Sequence, residues 1–221
     1  MRGKLIVFEG IDGSGKSTQF DMMCKKLTDM RCDYKRLVFP QYEEPSSALI
    51  RMYLEGQFGT KPGDVNAYAA SAFYAVDRYA SYVKIWRDYY IKGGTVLADR
   101  YTTSNAIHQA SKLPADLRME YLRWLEEFEY KLMGLPQPDK VVYMDISLEV
   151  ATENMRLRER KNDKGGDIHE TDNDYLSDCL EAAQLAAEFY GWSRVQCAYD
   201  GKMRPLEDIH NDILKLIYQT D

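Results

Sequence analysis

Residues 8–18 of this chain read Phe-Glu-Gly-Ile-Asp-Gly-Ser-Gly-Lys-Ser-Thr and contain the spacing G-x-x-x-x-G-K-[ST] at Gly10, Gly15, Lys16 and Ser17. The apolar run at 5–8 has the character of a buried strand, and residues 18–27 have that of a helix. A strand, a glycine loop and a helix in that order leave few folds open. The loop must stand at the carboxyl end of a strand in an α/β sheet. Glycines at 10, 13 and 15 let the backbone turn tightly and point successive N–H groups inward. The following helix adds the positive end of its dipole. Gly10, Ile11, Asp12, Gly13, Ser14, Gly15, Lys16, Ser17 and Thr18 are therefore expected to cradle the phosphates of a nucleoside triphosphate. Lys16 would reach the β- and γ-phosphates and Ser17 would ligand Mg²⁺.

The rest of the chain alternates between the two periodicities. Strands are expected near 4–9, 34–39, 95–99, 140–145 and 193–197. Helices are expected near 46–55, 65–91, 103–110, 115–133 and 175–190. Ser147 is placed as an N-cap, and Pro205 as the first residue of a last helix. This alternation predicts a five-stranded parallel sheet with helices on both faces. No linker or repeat divides the 221 residues, so one domain is expected. Ligands in such sheets bind beyond the carboxyl ends of the strands, which directs attention to 10–16, 39–42, 99–101 and 145–147.

Composition narrows the partners. The net charge of −6 argues against a nucleic-acid binder, which would carry a basic stripe. No apolar run reaches the roughly 18 residues of a membrane span, and no signal peptide is expected, since residues 4–9 already read as a strand. Cys24, Cys32, Cys179 and Cys197 form no C-x-x-C pair, and reduced thiols in a cytoplasmic protein are expected.

Three further groups carry chemistry. The third strand ends in Asp99-Arg100-Tyr101. Asp99 is suited to hold a metal-bound water beside the glycine loop, and Arg100 offers a planar fork to a phosphate. The alternative is a helix-capping aspartate with an arginine on the rim. Tyr74 and Arg78, four apart on a helix, can stack on a base and hydrogen-bond it. Aromatic residues at helical spacing are also ordinary core. Residues 156–164 hold five positive and two negative side chains, ahead of Gly165-Gly166. That is the composition of a mobile arginine-bearing lid, expected at about 156–172, or of a solvated helix end.

Together these pieces resemble the thymidylate kinase family over nearly the whole chain, and the fold implied is that of the P-loop nucleoside monophosphate kinases. The glycine loop, Phe39-Pro40-Gln41-Tyr42, Tyr74-Ala-Val-Asp77-Arg78 and Asp99-Arg100-Tyr101 stand where the family has its motifs. The resemblance implies transfer of the γ-phosphoryl of MgATP to dTMP, giving dTDP for dTTP synthesis. It places Asp12, Lys16, Arg100 and a lid arginine (Arg156, Arg158 or Arg160, with Arg158 as the choice) among the catalytic residues. Phe39, Pro40, Tyr42, Tyr74, Arg78, Arg100, Ser104, Asn105 and Gln109 would contact dTMP, and Ser17 and Asp99 would serve the metal. Phe73 is the alternative to Tyr74 as the stacking ring. A homodimer through long helices is also implied. The sequence departs from the family at three points. Gln41 and Tyr42 stand where many members have an arginine, and His108 where some have a tyrosine. Gly13 stands where one subgroup carries an arginine, so this chain resembles the subgroup with lid-borne arginines. The nearest rivals are a kinase for another deoxynucleotide or for a deoxynucleoside, which would want Glu43 or Glu44 as a base. The chain has no Asn-Lys-x-Asp, so it lacks the guanine reader of a GTPase-type switch.

Overall fold

A computed structural model describes residues 2–162 and 173–218. Five strands form one parallel sheet: β1 (Lys4–Glu9), β2 (Tyr34–Val38), β3 (Thr95–Asp99), β4 (Lys140–Asp145) and β5 (Ser193–Gln196). Their spatial order is β2-β3-β1-β4-β5. The chain therefore builds outward on both sides of β1, and β1 and β3 put Phe8 and Asp99 in register at their carboxyl ends. The central strands are near-continuous apolar runs because both faces of a parallel sheet are covered. Leu5, Val7, Phe8, Val96, Leu97, Ala98, Val142, Tyr143 and Met144 are fully buried.

Helices surround this sheet: α1 (Lys16–Asp29), α2 (Ala48–Leu54), α3 (Ala67–Ser81), α4 (Arg87–Ile91), α5 (Thr102–His108), α6 (Ala115–Leu125), α7 (Leu148–Asn162), α8 (Asn173–Tyr190) and α9 (Leu206–Tyr218). α1 packs with α9, where Gln19 donates to the Leu206 carbonyl at 2.9 Å. α5 packs with α8 and against α3 and α6. Asn66 caps α3 by accepting from the Ala69 N–H at 2.9 Å.

Several boundaries differ from the sequence reading. The helices expected at 65–91 and 115–133 each contain a π-helical segment, Tyr82–Trp86 and Glu126–Leu132. The first of these moves the buried face by one residue. The spacing of Ala67, Ser71, Ala75 and Arg78 is continued not at 85 but at Trp86 and Tyr90. Trp86 thereby reaches the core, with its ring edge-on to Tyr82 and Tyr90. Pro205 is the N-cap of α9 rather than its first residue, since its carbonyl accepts from Ile209. A short antiparallel pair, β6 (Ala198–Tyr199) and β7 (Lys202–Met203), was not expected. Of the lid expected at 156–172, residues 163–172 lie outside the described residues.

Candidate active site

The glycine loop leaves β1 and enters α1 through Gly15, whose φ of 81° is left-handed. The first turn of α1 has no side-chain cap and no acidic residue of its own, which leaves its N–H groups uncapped by the helix's side chains. Gly13, at φ 80°, has no room for a side chain: a Cβ there would lie 2.3 Å from the Ala151 carbonyl oxygen in α7. The Gly13 carbonyl also accepts from Asn154 Nδ2 at 2.8 Å. α7 is thus braced against the underside of the loop. Ile11 is core, and the Ser14 hydroxyl is buried without a hydrogen-bond partner among the described residues. Ser17 and Thr18 are exposed on the first turn of α1.

Asp99 ends β3 directly beside this turn. Its Oδ1 pairs with Lys16 Nζ, and its Oδ2 accepts from Ser17 Oγ at 3.2 Å. Burial and the neighbouring Arg100 lower the Lys16 ammonium from its ordinary range, against the pull of Asp99. The structure therefore brings Lys16, Ser17 and Asp99 together.

The next residue, Arg100, takes a left-handed φ of 66° and sends its side chain the other way. Its Nη2 donates to Asp12 Oδ1 at 2.7 Å, and its Nη1 lies 2.9 Å from His108 Nε2, 3.3 Å from Ser104 Oγ and 3.5 Å from Glu9 Oε1. Burial opposes its charge, but Asp12, Glu9 and Asp99 outweigh that and raise its pKa above the usual arginine range. Burial would raise the Asp12 carboxyl too. Arg100 foremost, with smaller contributions that include Arg158, holds it below the ordinary carboxylate value. Arg158 itself is exposed on α7.

Arg100 opens into a cavity of about 210 Å³, against the roughly 10–15 Å³ that admits one water. Phe39, Pro40 and Tyr42 form one wall, and Tyr74 and Arg78 come from α3. Ser104, Asn105, His108 and Gln109 come from α5 and its end, and Tyr175 from α8. Every substrate-binding residue expected from the sequence lines this one cavity. Phe73 does not; it packs on Phe58 and Tyr53, which leaves Tyr74 as the ring facing the cavity. Gln109 Oε1 is buried there with no hydrogen-bond partner among the described residues. Glu43 and Glu44 do not line the cavity.

Three buried carboxylates behind the wall escaped the sequence reading. Glu9 accepts from Thr103 Oγ1 and Ser104 Oγ, each at 2.7 Å, and from the Gly10 N–H at 3.0 Å. Asp77 accepts from the Gln41 N–H at 2.9 Å and from Ser46 Oγ at 2.6 Å, which pins the segment after β2 to α3. Glu129, fully buried, takes both Nε and Nη2 of Arg78, at 2.7 and 2.6 Å. A signal for Glu129 existed: it falls four and eight residues after the buried Leu125 and Tyr121, a carboxylate on an apolar helix face. Ser104 was expected to read a base, but its hydroxyl is already shared between Glu9 and Arg100.

A family model described as thymidylate kinase matches residues 8–201. The chain belongs to the thymidylate kinase family. The thymidylate kinase of Prochlorococcus marinus (strain NATL1A) is 28% identical over 98% of this chain and 99% of its own length. That of Mycobacterium tuberculosis (strain H37Rv) is 31% identical over 85% of this chain and 87% of its own. Among solved structures, the thymidylate kinase of Candida albicans superposes with a TM-score of 0.72 at 21% identity, covering 98% of this chain and 91% of that one. This last likeness supports the nucleoside monophosphate kinase fold. As a thymidylate kinase the chain phosphorylates dTMP to dTDP. No described helix is long and apolar enough to cross a membrane.

Proposed function

We propose that the chain is a single-domain, ATP-dependent thymidylate kinase in which the glycine loop takes MgATP and the cavity beyond Arg100 takes dTMP. One observation carries this reading. Two successive residues face two different sites: Asp99 meets Lys16 and Ser17, and Arg100 enters the cavity. The loop fits a triphosphate, with open N–H groups at α1, an orphan Ser14 hydroxyl and a lysine at its mouth. The oxygens of Ser17 and Asp99 suit a hard cation such as Mg²⁺. Held by Ser17 and Asp99, such a cation would supply positive charge to the donor phosphates.

The protein's part is then positioning and charge. Lys16 and the loop amides hold the donor phosphates. Arg100, held by Asp12 and Glu9, orients the acceptor phosphate with Tyr42 at the rim. Arg158, on the α7 stem of a lid at about 156–172, adds positive charge where the phosphoryl group moves. Phe39, Pro40 and Tyr74 enclose the base, and Arg78, Asn105 and Gln109 supply polar contacts to it. No general base is required, because the acceptor is a phosphate with a second pKa of about 6 and is largely dianionic at pH 7.

The test is ADP release with MgATP against dTMP, dUMP, dCMP, dGMP, ribothymidylate and thymidine. dTMP is expected to give the highest kcat/KM. Turnover of thymidine in preference to dTMP would overturn the assignment of Arg100 to a phosphate and make this a nucleoside kinase.

We also place the enzyme in the cytoplasm as a homodimer. The first is supported by the four cysteines, none of which is disulfide-bonded; cell fractionation checks it. The second is supported by an apolar stripe on the solvent side of α3 and the π segment after it. Val76, Tyr79 and Val83 are 48, 45 and 36% exposed there, at spacings that suit an isologous helix pair. A monomer in sedimentation velocity at micromolar concentration would overturn it.

A further inference from the structure

The buried Glu129 carboxylate meets four donors: Arg78 Nε at 2.7 Å and Nη2 at 2.6 Å, Thr102 Oγ1 at 2.8 Å and Asn105 Nδ2 at 2.9 Å. Both cavity-lining members of that set are oriented by it. The guanidinium of Arg78 has five N–H groups, of which two go to Glu129 and one to the Tyr101 carbonyl at 3.3 Å. What Arg78 has left for the cavity is donors. Asn105 spends one amide hydrogen on Glu129 and the other on the Ser71 carbonyl at 3.2 Å. A carboxylate and a carbonyl can only accept, so Nδ2 must face them, and what Asn105 has left for the cavity is the acceptor Oδ1.

We infer that Glu129 is the positioning residue that makes this site choose its base. By holding Arg78, which can only donate, and by turning Asn105 so that it accepts, it writes a donor–acceptor pair on the cavity wall. Thymine and uracil present the complement, a C4 carbonyl beside an N3–H. Cytosine presents the reverse, an amino group beside a bare N3, and would leave both wall groups facing their own kind. Such mismatches leave buried polar groups unpaired, which is what gives hydrogen-bonded sites their selectivity. This inference rests on the assignment of the cavity to dTMP and adds what sets the polarity of its wall.

The experiment compares Glu129→Gln with Asn105→Ala, using dTMP and dCMP as acceptors at saturating MgATP. Gln carries its own donor, which lets Asn105 turn its Nδ2 to the cavity. Glu129→Gln is expected to lower the dTMP:dCMP ratio of kcat/KM by about tenfold or more. The loss should appear mainly in KM for dTMP, with KM for ATP unchanged. A uniform loss on both acceptors, with the ratio kept, would overturn the inference and leave Glu129 a structural residue. If Asn105→Ala also keeps the ratio, the base-reading assignment of the cavity fails; if Asn105→Ala collapses the ratio and Glu129→Gln does not, only the role of Glu129 fails. A measurement on the unaltered enzyme stands even where Glu129→Gln does not fold. Both Asn105 side-chain amide protons should be protected from solvent exchange in the dTMP complex by NMR, and free exchange would overturn the inference.

Discussion

Lys16→Ala is expected to lower kcat by about 10²–10³-fold while leaving KM for dTMP within a few-fold of its original value. Lys16 belongs to the half-site proposed for the donor. Its ammonium pairs with Asp99, next to the hydroxyl of Ser17, and it is absent from the lining of the cavity assigned to dTMP. An ammonium held there acts on charge that develops between the phosphates and adds nothing to acceptor affinity. Its removal also leaves the Asp99 carboxylate, only 9% exposed, without its main partner. The unfolding midpoint should fall as well, because an uncompensated buried charge is costly. Steady-state kinetics with dTMP and ATP varied in turn decide the matter. A rise in KM for dTMP with kcat preserved would move Lys16 to the acceptor side and undo the assignment.

The second large effect is expected at Gly13. A methyl group at this position meets the Ala151 carbonyl oxygen at 2.3 Å and must be carried on a φ of 80°. The obstacle is main chain, and Ala151 is itself fully buried, so α7 cannot step back without opening the core. Left-handed strain alone costs about 1–3 kcal/mol. With the clash added, Gly13→Ala should lose at least about 2 kcal/mol, which for a chain of this size lowers Tm by roughly 4–8 °C. Because the same shift displaces the loop amides, kcat/KM for ATP should fall by at least about 10²-fold. Gly15→Ala is the built-in comparison. It has the same sign of φ, but its Cβ would only touch the flexible Met203 side chain at 3.4 Å, so strain is its main cost. Equal effects at the two positions, by thermal melts and ATP kinetics, would show that the contact with α7 is not what holds the loop.

Much of this was legible in the chain. The five strands were readable because a covered parallel sheet writes itself as short apolar runs between helices. The glycine loop and Asp99-Arg100 were readable because local spacing alone places them at strand ends. The features missed depend on distant partners or on small departures from regular geometry. A single π turn at Tyr82–Trp86 changes which residues face inward, yet it leaves no mark on the apolar pattern of a helix expected over 65–91. The two-residue strands β6 and β7 are too short to show alternation, and Tyr199 is 70% exposed. Glu9 and Glu129 looked like ordinary charged residues, because Thr103 and Ser104, and Arg78 and Asn105, lie 94, 95, 51 and 24 positions away. A carboxylate can be buried only where such donors converge, and convergence is a property of the fold.

The pairing of Asp99 with Lys16 and the swing of Arg100 into the cavity have a geometric consequence. Residues joined by one trans peptide have Cα atoms about 3.8 Å apart, and no movement of the surrounding helices can stretch that link. If each of the two residues serves one nucleotide, the separation of donor and acceptor is ruled by a covalent bond rather than by packing. Substrates could then arrive in either order without the two half-sites losing their spacing. On that assignment the distance between reactants is built into the chain itself.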